Sequence, residues 1–161
     1  MTNLLVYILV YPLIWILSIL PFRILYFLSD TIYYLIYYLI GYRKKVVLSN
    51  LKLAFPEKTN HELIKIRKKF YRHFVDVFME MIKSFTISKN ELAKHCVYPN
   101  LDVLNNLHKD GKSVILVASH YGNWEWLIGL SSFTHYKCYT AYTKVSNPYF
   151  NRKILKSRST S

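Results

Sequence analysis

Acidic residues are scarce in this 161-residue chain: nine Asp and Glu stand against 22 Lys and Arg, for a net charge of +13. An excess of that size implies an anionic partner, whether nucleic acid, anionic lipid headgroups or an acidic protein. No nucleic acid is expected, because zinc-finger spacing, an RNP sequence and a Gly-x-x-Gly loop are all missing. Cysteine is equally rare. Cys96 and Cys138 lie far apart without metal-ligand spacing and read as reduced, packed, cytoplasmic thiols. The chain has no phosphate-cradling glycine loop and no metal-ligand cluster, and His120 has no second histidine at ligand spacing, so neither a metal nor a cofactor is expected. Repeats and low-complexity tracts are absent, and at 52% hydrophobic and 17% aromatic the composition is far from that of a disordered chain.

What is present begins with a long apolar run. Leu4 to Phe22 contains no charged residue, and as helix it spans about 28 Å, close to the hydrocarbon thickness of a bilayer. Pro12 and Pro21 are expected to kink or end it, and Tyr7, Tyr11 and Trp15 suit an interfacial setting. A cleaved signal peptide fits poorly, since Met-Thr-Asn supplies no basic lead. Ser29-Asp30-Thr31 reads as the cap of a second helix ending at Gly41, whose tyrosines 33, 34, 37, 38 and 42 form an interface-seeking surface. One span followed by an interfacial helix is the preferred arrangement. A two-helix hairpin and a buried core helix are the alternatives. Arg43-Lys44-Lys45 then places the rest of the chain on the cytoplasmic side by the positive-inside rule. Residues 1–42 are thus read as a membrane anchor with an interfacial helix, set apart from 43–161.

Beyond Arg43 the patterning predicts a short helix over Val46 to Phe55, stopped by Pro56. Thr59-Asn-His-Glu62 matches a capping box and opens the longest helix. Leu63, Ile66, Phe70, Phe74, Val77, Met81 and Phe85 form its expected buried stripe, with Lys65, Lys68, Lys69, Arg72, Asp76 and Lys83 on the other side. Asn100 is expected to cap a helix to His108, stopped by Asp110-Gly111, after a short strand at Cys96 to Tyr98. Val114 to Ala118 reads as a buried strand, Gly122-Asn123 as a turn, Trp124 to about Phe133 as a helix, and Lys137 to Thr143 as a second strand. Asn147-Pro148 opens a last helix carrying Arg152, Lys153, Lys156 and Arg158. The fold class expected is therefore α/β, a membrane helix and further helices leading into a strand-helix-strand unit.

His120 and Glu125 flank the predicted turn. Five residues apart, they meet neither on a continuous helix nor on a strand, but a turn at Gly122 with Asn123 as helix cap can swing the carboxylate back toward the imidazole. A histidine so oriented is suited to take a proton from a hydroxyl. Spacing alone leaves a second reading equally open, in which His120 ends a strand and Glu125 complements the helix dipole.

The surrounding letters favour the first. His120-Tyr-Gly-Asn-Trp-Glu125 resembles the His-x4-Asp/Glu motif of glycerolipid acyltransferases, and its Gly-Asn-Trp-Glu form resembles the lipid A biosynthesis acyltransferases. Upstream, Asn50-Leu-Lys-Leu-Ala-Phe-Pro-Glu57 is similar to the Asn-Leu-x-x-x-Phe-Pro-Glu segment of the same family. The resemblance runs from about Arg43 to Arg158 and covers the first half of a family member, so 43–161 is implied to be the amino-terminal, incomplete part of an acyltransferase domain in a truncated glycerolipid-acyltransferase-like fold. It makes His120 the general base and Glu125 the residue that orients it. It matches Arg158 to an arginine near the site, and it places Asn123 and Arg158 in substrate binding. It implies an acyl carrier protein thioester as donor, a lipid A precursor or other glycolipid as acceptor, and an anionic membrane, the bacterial inner membrane, with the catalytic part facing the cytoplasm. A lysophospholipid acceptor and a non-catalytic, membrane-anchored lipid-binding role are the alternatives.

Overall fold

The computed structural model describes residues 2–159, with the side chains of Arg158 and Ser159 outside that set. Among the described residues the regular structure is entirely helical. Helix α1 covers Thr2–Ile19, α2 Phe22–Tyr34, a π-helical segment Leu35–Ile40, α3 Lys44–Ala54, α4 Asn60–Lys83, α5 Lys89–His95 and α6 Leu101–Lys109. A 3₁₀ helix, Trp124–Phe133, and α7, Pro148–Ser159, complete the order. By packing, the chain divides into two compact units, one of residues 1–19 with 81–161 and the other of residues 20–80.

The second unit is built on α2 and α4. Tyr26 donates to Glu80 at 2.6 Å, Ser29 to Asp76 at 2.5 Å, and Arg67 to the Tyr37 hydroxyl at 3.1 and 3.2 Å. Numbers rise along α2 as they fall along α4, so the helices run antiparallel. Leu25, Ser29, Tyr33 and Tyr37 are buried at four-residue spacing, facing Leu63, Tyr71, Val75 and Met79. Gly41, at φ 69°, ends the π-helical segment in the left-handed conformation that glycine adopts without penalty. Tyr71 locks this corner by donating to the Tyr42 carbonyl. The second helix therefore begins at Phe22, just after Pro21, and not at the Ser29 to Thr31 cap. Ser29 is fully buried against α4, where its hydroxyl serves Asp76.

The capping box forms as read. Thr59 N–H and Oγ1–H both donate to Glu62 Oε2, at 2.9 and 2.8 Å, and the Glu62 amide donates back to Thr59 Oγ1 at 3.3 Å. The face that α4 buries is rotated from the one expected. Phe70, expected in the buried stripe, is exposed and stacks on Phe74 at 5.8 Å, and Phe74 meets the exposed Phe78 edge-on at 4.8 Å, while Leu63 and Val77 are buried as expected. Lys83 is buried and pairs with Glu91 at 3.8 Å. The cause is the partner: Tyr37 and Tyr42 accept Arg67 and Tyr71, so the polar-aromatic line wins over the phenylalanines.

In the first unit, α7 lies along the amino-terminal part of α1. Tyr7 stacks on Tyr149 at 5.5 Å and meets Phe150 edge-on at 5.3 Å, and Asn147 Nδ2 donates to the Asn3 carbonyl at 2.9 Å. Asn147 also caps α7 as expected, its Oδ1 accepting from Tyr149 and Phe150 N–H. The rest of α1 is largely uncovered among the described residues, with Leu5, Leu9, Leu13 and Ile16 exposed.

The expected α/β class is overturned. Among the described residues there is no strand: Cys96 to Tyr98, Val114 to Ala118 and Lys137 to Thr143 all lie outside regular structure. A strand exists through its ladder, and neither of the longer segments finds one. Ile115 and Val117 are 91% and 88% exposed instead of buried. Tyr136 Oη donates to the Lys112 carbonyl at 2.8 Å, a side-chain bridge between the roots of the two segments. The helix expected after the turn is present but is 3₁₀ in type. Cys138, expected to be packed, is exposed.

Candidate active site

The Gly122 turn is real, with φ at 60°, a left-handed backbone that a side chain at this position would strain. It connects the extended segment to the 3₁₀ helix, of which Asn123 is the N-terminal flanking residue, without a side-chain cap bond. His120 stands just before the turn, exposed to solvent. Its ring rests on Trp124, with centroids 4.8 Å apart and planes tilted by 48°. Glu125 sits in the first turn of the 3₁₀ helix, half-buried. The turn thus brings the imidazole onto the indole. No hydrogen bond joins His120 to Glu125 among the described residues. Arg158 belongs to the backbone of α7, and its side chain lies outside the described residues.

What fixes the turn is the packing of the 3₁₀ helix on α5, which the spacing of residues did not disclose. Trp126 is 8% exposed, its ring 5.8 Å from that of His95, and its carbonyl accepts from Tyr98 Oη at 2.7 Å. Burial, together with the neighbouring Cys96 thiol, raises the Tyr98 phenol above its ordinary range, so it stays a neutral donor throughout physiological pH. Lys89 reaches the other end, donating to the Ser132 carbonyl with its ammonium 4.9 Å from the Phe133 ring centre. Gly129 packs closely between them, since a Cβ there would fall 2.1 Å from Leu92 Cδ2 and that side-chain end would have to shift. Of these, Trp126 carried a signal in sequence, as an apolar residue at the start of a predicted helix. Tyr98, Leu92 and Lys89 carried none.

Chemically, an exposed imidazole held by one aromatic contact is open to a hydroxyl approaching from solvent or lipid.

The two sequence features that point to acyl transfer fall in different packing units: Asn50 to Glu57 belongs to the second unit, and the His120 turn to the first. No curated protein and no solved structure matches the chain. The profile of the bacterial lipid A biosynthesis acyltransferases matches residues 1–161, the whole chain. The chain belongs to the bacterial lipid A biosynthesis acyltransferase family, whose reaction is acyl transfer.

Proposed function

We propose that the chain moves a fatty acyl group from an acyl carrier protein thioester to a hydroxyl of a lipid A precursor, at the cytoplasmic side of the bacterial inner membrane. His120 takes the acceptor's proton as its oxygen bonds to the thioester carbonyl carbon. The tetrahedral intermediate then expels the carrier's thiolate, which recovers a proton from the imidazolium. Glu125 orients the imidazole during turnover, and Asn123 and Arg158 bind substrate. Residues 1–42 anchor and 43–161 carry the chemistry. The exposed face of α1 supports membrane insertion. The observation that carries the reading is His120 exposed at a left-handed glycine turn inside a whole-chain family match.

The test is product analysis. Membranes bearing the chain are given acyl carrier protein thioester with either a lipid A precursor or a lysophospholipid. The expected result is a mass gain of one acyl group on the lipid A precursor. Acylation of the lysophospholipid alone would replace the acceptor, and the same product from acyl coenzyme A but not from the carrier would replace the donor.

A further inference from the structure

Away from His120, the outward side of α4 carries Lys65, Lys68, Lys69 and Arg72, all exposed. With Tyr33 and Tyr34 of α2 they line an open cleft of about 230 Å³. Positions 65, 68, 69 and 72 share one helical face, so the four cations project to the same side. One carboxylate reaches them: Asp30 holds Arg72 Nε at 2.9 Å, while the guanidinium lies 5.3 Å from the Tyr33 ring centre. Lys68 Nζ stands 5.8 Å from the Tyr38 ring centre. Lys65 and Lys69 have no ion pair among the described residues. Three lysines therefore line this cleft with no ion pair among the described residues, a concentration of positive charge that an anion would offset.

The anion's source is indicated by what lies next to the cleft. Tyr34, Leu35, Tyr38 and Leu39 are exposed on α2 and the π-helical segment, Leu39 by 78%. A row of lysines bordering an outward apolar and aromatic strip is the pattern of an element lying at the headgroup level of a bilayer. A soluble phosphate would need only the cations. We propose that this cleft seats the phosphate of an anionic membrane lipid, with Lys65, Lys68 and Lys69 supplying the charge and Arg72, fixed by Asp30 and Tyr33, its rigid edge. The proposal does not depend on the His120 chemistry.

The test uses the full chain in nanodiscs of phosphatidylcholine alone or with phosphatidylglycerol, with lysine acetylation rates read by mass spectrometry. Lys65, Lys68 and Lys69 are expected to react about tenfold more slowly in the anionic discs, with the exposed Lys109 and Lys137 little changed. Equal rates in the two discs overturn the site, and uniform slowing of all lysines reduces it to a general basic-surface effect. Equal protection in phosphatidylcholine discs by millimolar inorganic phosphate reassigns the cleft to a soluble anion, and protection only by added acyl carrier protein reassigns it to a protein. A second reading is the K65Q/K68Q/K69Q variant, whose preference for retaining phosphatidylglycerol over phosphatidylcholine, by native mass spectrometry, is expected to fall about tenfold with circular dichroism unchanged. An unchanged preference in this variant contradicts the proposal.

Discussion

Glu62 accepts from both the amide and the hydroxyl of Thr59, and those bonds hold its carboxyl below the ordinary carboxylate range. A folded-state value below the unfolded one means that its contribution is complete above the unfolded value and disappears as pH falls through the folded one. Protection factors in the first turn of α4, taken relative to the intrinsic exchange rate at each pH, are therefore expected to fall on acidification, and in Glu62→Gln to be lower at neutral pH and nearly independent of pH over the same window. Identical exchange in both proteins would remove the capping box from the account. This cap was legible because its partners are three residues apart, and local hydrogen bonds need nothing from the rest of the fold. The turn after His120 was legible for the same reason, through Gly122. Its contact with Trp124 was not, because spacing predicts which residues share a turn and not how their rings settle.

At the scale of elements, the decisive contacts are between segments distant in sequence. Gly129 packs so closely on α5 that Gly129→Ala is expected to cost about 1–3 kcal/mol, by displacing Leu92 from its buried position. In a Leu92→Ala background the same change should cost little, because the space is already open. Denaturant unfolding of the four proteins of this cycle measures the coupling, and additive losses would mean that Gly129 serves the backbone and not the packing. α3, α4, α6 and α7 were legible from their periodicity and caps, whereas α5, Lys89–His95, was not read as a helix and α2 begins earlier than its expected cap. The strands were not: Val114 to Ala118 has the composition of a buried strand, but pairing is a property of two segments, and the described residues supply no ladder. The buried face of α4 was misread on similar grounds. Phe70 is more apolar than Arg67 and Tyr71, yet Tyr37 and Tyr42 select the latter pair.

For the whole molecule, the proposed membrane attachment rests on a net charge of +13 and an apolar helix with an exposed face. They differ in their response to salt, since adsorption of a basic surface is screened and burial of α1 is not. The chain is expected to remain in the membrane pellet after a molar-salt wash and to leave it with detergent. Release by salt alone would make the attachment electrostatic. The family and its reaction were readable from two motifs, His120 to Glu125 and Asn50 to Glu57, which stand in different packing units and so report more than a shared local turn. Acyl transfer from carrier thioester to lipid A precursor, measured for the wild type, His120→Ala, Glu125→Ala and the double variant, is the most direct measurement. The rate is predicted to fall by roughly 10²–10⁴ in His120→Ala, strongly in Glu125→Ala, and no further in the double variant, with helical content retained in all three. A wild-type rate in His120→Ala would contradict its assignment as the general base.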